Sequence, residues 1–256
     1  MSEVNGFQKH GLKHSSPSSL NMWASAPCAW IARYLFDKKL SFGVAAQIGV
    51  LTETVIVDTL CGASFDESLT AAKKKFLKDN ALNTSMKDRE RIDDIEAMAN
   101  QALEYLKPLG EPEFKHTIKG REQQSISLLC NGDGWELPII GFLDLVYPKE
   151  GLIIDIKTTL RIPSELSPAH ARQGAIYSKA KGNMACKMLY CSPKKYAVHS
   201  VDDVNGVLAE TKTILNRQEK MLRLHDKETL KEIIPVASDS FYWMNDYKIR
   251  KDLYGV

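Results

Sequence analysis

LPIIGFLDLVYPKEGLIIDIKTT, residues Leu137 to Thr159, decides the fold. Gly141 to Tyr147 and Leu152 to Thr158 are rich in β-branched and aromatic residues, and Pro148-Lys149-Glu150-Gly151 punctuates them. That pattern predicts two strands joined by a short polar turn. With the hairpin centred between Lys149 and Glu150, the numbers of opposed residues sum to 299. Asp144 then faces Asp155, and Phe142 faces Lys157. Side chains alternate between the faces of a strand. Asp144, Asp155 and Lys157 therefore emerge on one face. Leu143, Leu145, Tyr147, Ile154 and Ile156 point to the other, the expected core.

Like charges opposed on neighbouring strands repel. A divalent cation converts that repulsion into affinity, and hard carboxylate oxygens suit Mg²⁺ or Mn²⁺. A lysine two residues beyond Asp155 can position and help deprotonate an attacking water, or stabilise developing negative charge. Those groups together suit metal-assisted phosphodiester hydrolysis. The plainer alternative is an ordinary hairpin with polar residues on its solvent face.

The rest of the composition sets bounds. A chain of 256 residues, 44% hydrophobic and 26% charged, has ample material for a core. Its net charge of +2 permits a local basic groove without demanding one. No apolar run approaches a bilayer span, so no membrane partner is expected, and MSEVNGFQKHGLKHSS does not read as a signal peptide. The cysteines, Cys28, Cys61, Cys130, Cys186 and Cys191, are scattered and odd in number. They predict reduced thiols in an intracellular, cytoplasmic protein.

Residues 1–14 are polar and aperiodic and are expected to form a flexible tail, with His10 and His14 in solvent. No repeat or linker follows, so residues 15–256 are expected to be a single domain. Ser15 to Ser19 offers hydroxyl caps for a helix running through Leu20, Trp23 and Ile31, which Pro27 kinks or divides. A second helix is predicted over Val44 to Leu60. On it Gly49 and Glu53 share a face, and glycine lets that face approach another backbone closely. Glu53 is either a surface residue or a placed ligand. Charged outer helices follow at Asp66 to Leu77 and Lys87 to Leu106. Strands are expected over Glu113 to Lys119 and Gln123 to Cys130, with turns at Gly120 and Asn131 to Gly134. Ser164 to Lys181 reads as a helix carrying Gln173 and Tyr177 one turn apart, with His170 and Arg172 nearby. Met184 to Cys191 and Lys195 to Val201 read as closing strands, with Cys186 and Cys191 in the core. Asp202 to Leu224 is a long amphipathic helix. Beyond it, Phe241-Tyr242-Trp243 is expected to pack its aromatics on the core.

The ordered pieces resemble the PD-(D/E)XK nuclease superfamily, and within it the RecB-like and lambda-exonuclease-like (YqaJ-type) exonucleases. Gly49 to Glu53 matches a G-x-x-x-E element, and Gly141 to Asp144 a strand ending in aspartate. Asp155 to Lys157 matches D-x-K, and Gln173 to Tyr177 matches Q-x-x-x-Y. Ser16-Pro17-Ser18-Ser19-Leu20 with Pro27-Cys28 looks like the N-terminal segment of RecB-like members. The resemblance spans roughly residues 15 to 200. It implies an α/β fold with a restriction-endonuclease-like core, a mixed sheet of about four to five strands flanked by helices. It implies that Asp144, Asp155, the Ile156 carbonyl and Glu53 bind Mg²⁺ or Mn²⁺. Lys157 would orient or activate the water, and Gln173 would support the site. Tyr177 would contact DNA or brace its helix, and Arg172 is a second DNA-binding candidate. Glutamate at position 53, where many RecB-like members have histidine, leans toward the lambda-exonuclease-like branch. Cys28 could begin an iron–sulfur site, but no cysteine follows Cys191, so no cluster is expected.

The activity so implied is metal-dependent exonuclease cleavage of DNA in recombination, repair or viral genome processing, in the host cytoplasm if the protein is viral. A recombination or single-strand-annealing protein and a second copy of the chain are further expected partners. The alternatives are an endonuclease of the same superfamily and a catalytically silent DNA-binding protein with the same fold.

Overall fold

The computed structural model describes residues 4–41, 43–113, 117–118, 121–122, 124–129 and 137–256. In chain order the helices are α1 (Gly6–Lys9), α2 (Pro17–Ser25), α3 (Pro27–Tyr34), α4 (Val44–Leu60), α5 (Phe65–Asp79), α6 (Met86–Glu90), α7 (Ile92–Leu106), α8 (Pro168–Ala180), α9 (Val204–Leu224), α10 (Lys227–Ile233) and α11 (Tyr247–Tyr254). The strands are β1 (Thr117–Ile118), β2 (Arg121–Glu122), β3 (Gln124–Leu129), β4 (Pro138–Leu143), β5 (Leu145–Tyr147), β6 (Leu152–Thr158), β7 (Ala185–Cys191) and β8 (Tyr196–Ser200). The turns expected at Gly120 and Asn131 to Gly134, and Cys130 with them, lie outside the described residues. Where one domain was expected over 15–256, the chain divides into two compact units, each discontinuous in sequence.

One unit spans Phe42–Ser125 and Phe142–Asp202. Its centre is a mixed four-stranded sheet in the order β5-β6-β7-β8, flanked by helices. β5 and β6 are antiparallel, β6 and β7 parallel, and β7 and β8 antiparallel. The pairs Leu145 with Ile154, Val146 with Ile153 and Tyr147 with Leu152 follow the expected hairpin register. Leu145, Tyr147, Ile154, Ile156, Leu189 and Cys191 pack against apolar residues of α4, α5 and α7, which form the core on that face. Val146 and Ile153 are buried too, so both faces are covered. Double coverage explains the near-continuous apolar run of β6.

The expected strand Gly141 to Tyr147 is broken. β4 ends at Leu143, Asp144 sits in a bend, and β5 resumes at Leu145. Asp144 is therefore not a ladder partner of Asp155. Its Oδ2 accepts the Ile156 N–H at 2.8 Å, a proton that a continued ladder would give to a main-chain carbonyl. Short polar side chains compete with the backbone in this way. Two helix boundaries also differ from expectation. Arg91 separates α6 from α7, and the crossover helix starts at Pro168, where Ser167 caps the His170 N–H at 3.3 Å.

The other unit comprises Met1–Ser41, Ile126–Gly141 and Asp203–Val256. Pro27 divides the first apolar run, with Ala26 at φ −150° between α2 and α3. The N-terminal segment is no loose tail. Asn5 caps the short helix α1, and Phe7 is 1% exposed. Glu219 of α9 accepts the Gly6 N–H at 3.0 Å, and His10 Nε2 meets the Leu222 carbonyl at 2.9 Å. A single phenylalanine supplies enough burial to hold a segment that has no periodicity to announce it. At the C-terminus Trp243 is buried, as expected, but Phe241 is 78% exposed. Among the described residues, no helix is long and apolar enough to cross a membrane.

Candidate active site

β6 carries Asp155, Ile156 and Lys157, and α8 lies over the face on which Asp155 and Lys157 emerge. The helix can approach because Gly174 has no side chain. A Cβ there would stand 2.7 Å from Val201 Cγ2 and 2.9 Å from Met188 Cε. That approach brings Gln173, the preceding residue, to the strand. Its Nε2 donates to Asp155 Oδ1 at 2.8 Å and to the Tyr177 hydroxyl at 3.0 Å. Its Oε1 accepts from Lys157 Nζ at 2.9 Å. Lys157 Nζ also sits 2.5 Å from Asp155 Oδ2. Asp155 is 2% exposed, so this ion pair and amide replace nearly all the water the carboxylate would have had.

Glu53 reaches the site from α4. Gly49, one turn earlier, allows that helix to close on β6, where a Cβ would meet Thr158 Oγ1 at 3.0 Å. The close approach expected of Gly49 is thus present. Glu53 is half-buried and close enough for its charge to act on Asp144.

The charges are unbalanced. Burial, then the Glu53 and Asp155 carboxylates, hold the Asp144 carboxyl well above the usual range. Burial works against charge on Lys157, but Asp155 and Asp144 outweigh it and keep the ammonium above the ordinary lysine range. Of the two roles open to Lys157, this environment favours the cation that stabilises negative charge over the base that takes a proton.

Every residue expected in the site lies in this unit. Tyr177 is 4% exposed and its hydroxyl accepts from the Gln173 amide, which matches the bracing alternative. Arg172 is largely buried, at 7% exposed. Sequence reasoning missed Tyr190, which pairs with Lys157 across β6 and β7 and meets His170 Nδ1 at 2.5 Å. Burial, then the Lys157 charge, push His170 down to about 4, so it is neutral near pH 7. Its position three residues before Gln173 on one helix face was the available signal. Cys186 and Cys191 are buried strand residues, and Cys28 Sγ accepts the Ala237 N–H at 3.3 Å.

Glu53, Asp144, Asp155 and the Ile156 carbonyl offer the hard oxygens that Mg²⁺ or Mn²⁺ requires, and the raised Asp144 carboxyl is the group such a cation would relieve. The donors fit in kind but are not assembled as expected. Among the described residues no three His, Cys, Asp or Glu side chains are drawn together closely enough to grip an ion. Asp144 and Asp155 instead turn oxygens to the Ile156 N–H, Gln173 and Lys157.

No protein-family model and no curated protein matches the chain. Among solved structures it is similar to one described as "Crystal structure of SSO0001", at 13% identity and a TM-score of 0.37, over 73% of this chain and 85% of that one.

Proposed function

We propose that this protein is a metal-dependent DNA nuclease of the PD-(D/E)XK type, acting as an exonuclease of the RecB-like or lambda-exonuclease-like kind. The observation that carries the reading is the bonded set of Asp155, Lys157 and Gln173, with the Asp144 and Glu53 carboxyls close beside it. Carboxyls whose charged form is opposed by burial and by one another gather at functional sites. The hairpin β5-β6, the helix α8 and the parallel strand β7 are also the parts a restriction-endonuclease-like core would need.

Mg²⁺ or Mn²⁺ held by Asp144, Asp155, Glu53 and the Ile156 carbonyl supplies charge neutralisation and Lewis acidity at the phosphate. The chain's own residues do the rest. Lys157 presents an ammonium to the negative charge that grows on the phosphoryl oxygens. Gln173 fixes the Lys157 ammonium and the Asp155 carboxylate in one orientation, and Tyr177 holds Gln173. DNA is the partner, and recombination, repair or viral genome processing the setting in which such an activity serves.

Incubation of end-labelled linear and circular DNA with Mg²⁺ or Mn²⁺ tests the reading. Release of mononucleotides or short fragments from linear DNA alone is the expected result. Cutting of circles would make the enzyme an endonuclease. Retarded but intact DNA would make it a silent binding protein.

A further inference from the structure

Six large apolar side chains of the catalytic unit are exposed among its described residues: Val50, Leu77, Leu82, Met86, Phe142 and Leu160. Single exposed apolar residues need no explanation. Two of these, however, stand close in sequence to site residues on separate segments, Phe142 two residues before Asp144 and Leu160 three residues after Lys157. Phe142 is the exposed position of β4 and is 45% accessible, between the buried Gly141 and Leu143. Two residues of chain separate it from Asp144, so the two Cα atoms lie at most about 7 Å apart. That spacing is comparable to the distance from a phosphate to the base it carries. Beyond Leu160 a turn closed by Thr159, whose Oγ1 accepts the Arg161 N–H at 3.2 Å, leaves the Arg161 cation exposed for a neighbouring phosphate.

Resting on the nuclease reading above, we infer that Phe142 is a stacking platform for the nucleobase next to the scissile phosphate. The substrate is then a strand whose bases are unpaired, either single-stranded DNA or a frayed end. A base held in an intact duplex keeps its faces against its neighbours and cannot offer one to the ring. Stacking of this kind is indifferent to sequence, because every base has an aromatic face.

Steady-state cleavage of a single-stranded oligonucleotide in Mg²⁺ by wild type, Phe142→Ala and Phe142→Trp tests the assignment. Phe142→Ala should raise KM about 5- to 160-fold, the range that loss of one stacked base allows, with kcat nearly unchanged. Phe142→Trp should keep the wild-type KM. A single abasic nucleotide walked along the strand should penalise wild type at one position and Phe142→Ala not at all. An unaltered KM in Phe142→Ala, or an undiminished abasic penalty, would overturn the stacking role while leaving the nuclease reading intact. Failure of wild type to cleave any DNA would remove both.

Discussion

Replacing Asp144 by asparagine keeps an oxygen for the Ile156 N–H and deletes a carboxyl whose charged form is opposed by burial, Glu53 and Asp155. Asp144 titrates higher in the folded chain than in the unfolded one. Between those two values the folded chain holds a proton that the unfolded chain has lost, so stability falls as pH rises through that window. Above it the whole penalty is in place. Lys157 is also raised, but its contribution is lost only as pH rises through its own folded value, above the ordinary lysine range, and it is intact near neutrality. In metal-free buffer at pH 7 to 8, Asp144→Asn should therefore be more stable than wild type by about 1–2 kcal/mol, the usual scale for relieving a frustrated site. For a chain of this size that raises the melting temperature by about 2–8 °C. Asp144→Ala also loses the charge but leaves the Ile156 N–H without an acceptor, costing about 1–3 kcal/mol. It should fall below the asparagine variant by that amount. Thermal unfolding in EDTA across pH 4 to 8 measures all three proteins. The reasoning fails if asparagine gives no gain at pH 8, or if the gain does not shrink on acidification. Added Mn²⁺ should raise the melting temperature of wild type more than that of Asp144→Asn.

Lys157→Ala should lower the cleavage rate by at least about 10²-fold while DNA still shifts in a gel, and unchanged cleavage would remove Lys157 from the chemistry. Phe7→Ala should cost about 3–5 kcal/mol, because the ring is buried where the N-terminal segment meets α9; a melting temperature equal to wild type would restore the loose tail. Gly49→Ala adds about 1 kcal/mol of helix propensity against a 3.0 Å contact with Thr158 Oγ1. Its stability should stay within about 1 kcal/mol of wild type while turnover drops as Glu53 shifts with its helix. Full turnover would mean that α4 does not position Glu53.

How much was legible before any coordinates depended on how local the cause was. α4 ran over the predicted Val44 to Leu60, because one apolar stripe and one close-packing glycine lie within a single helix. The hairpin register was legible for the same reason, since a four-residue turn sets which side chains meet. Asp144 misled because periodicity counts side-chain faces and cannot register a carboxylate taking a main-chain proton. Phe7 misled because one buried ring makes no pattern. The role of Tyr190 depends on a parallel strand brought alongside β6 by the α8 crossover, an arrangement that spacing alone does not encode. The burial of Arg172 was not legible either, because which helix face is covered is decided by what packs over it.

The amide of Gln173 can point only one way while Asp155 is an anion and Lys157 a cation, since its donors face one and its acceptor the other. It thus behaves as a needle between two poles. Swapping glutamine for glutamate would set a third negative oxygen against Asp155, and losing either pole would free the amide to turn over. The side-chain amide resonances of one neutral residue should then register, from the inside, whether the ionic pair beside it is still intact.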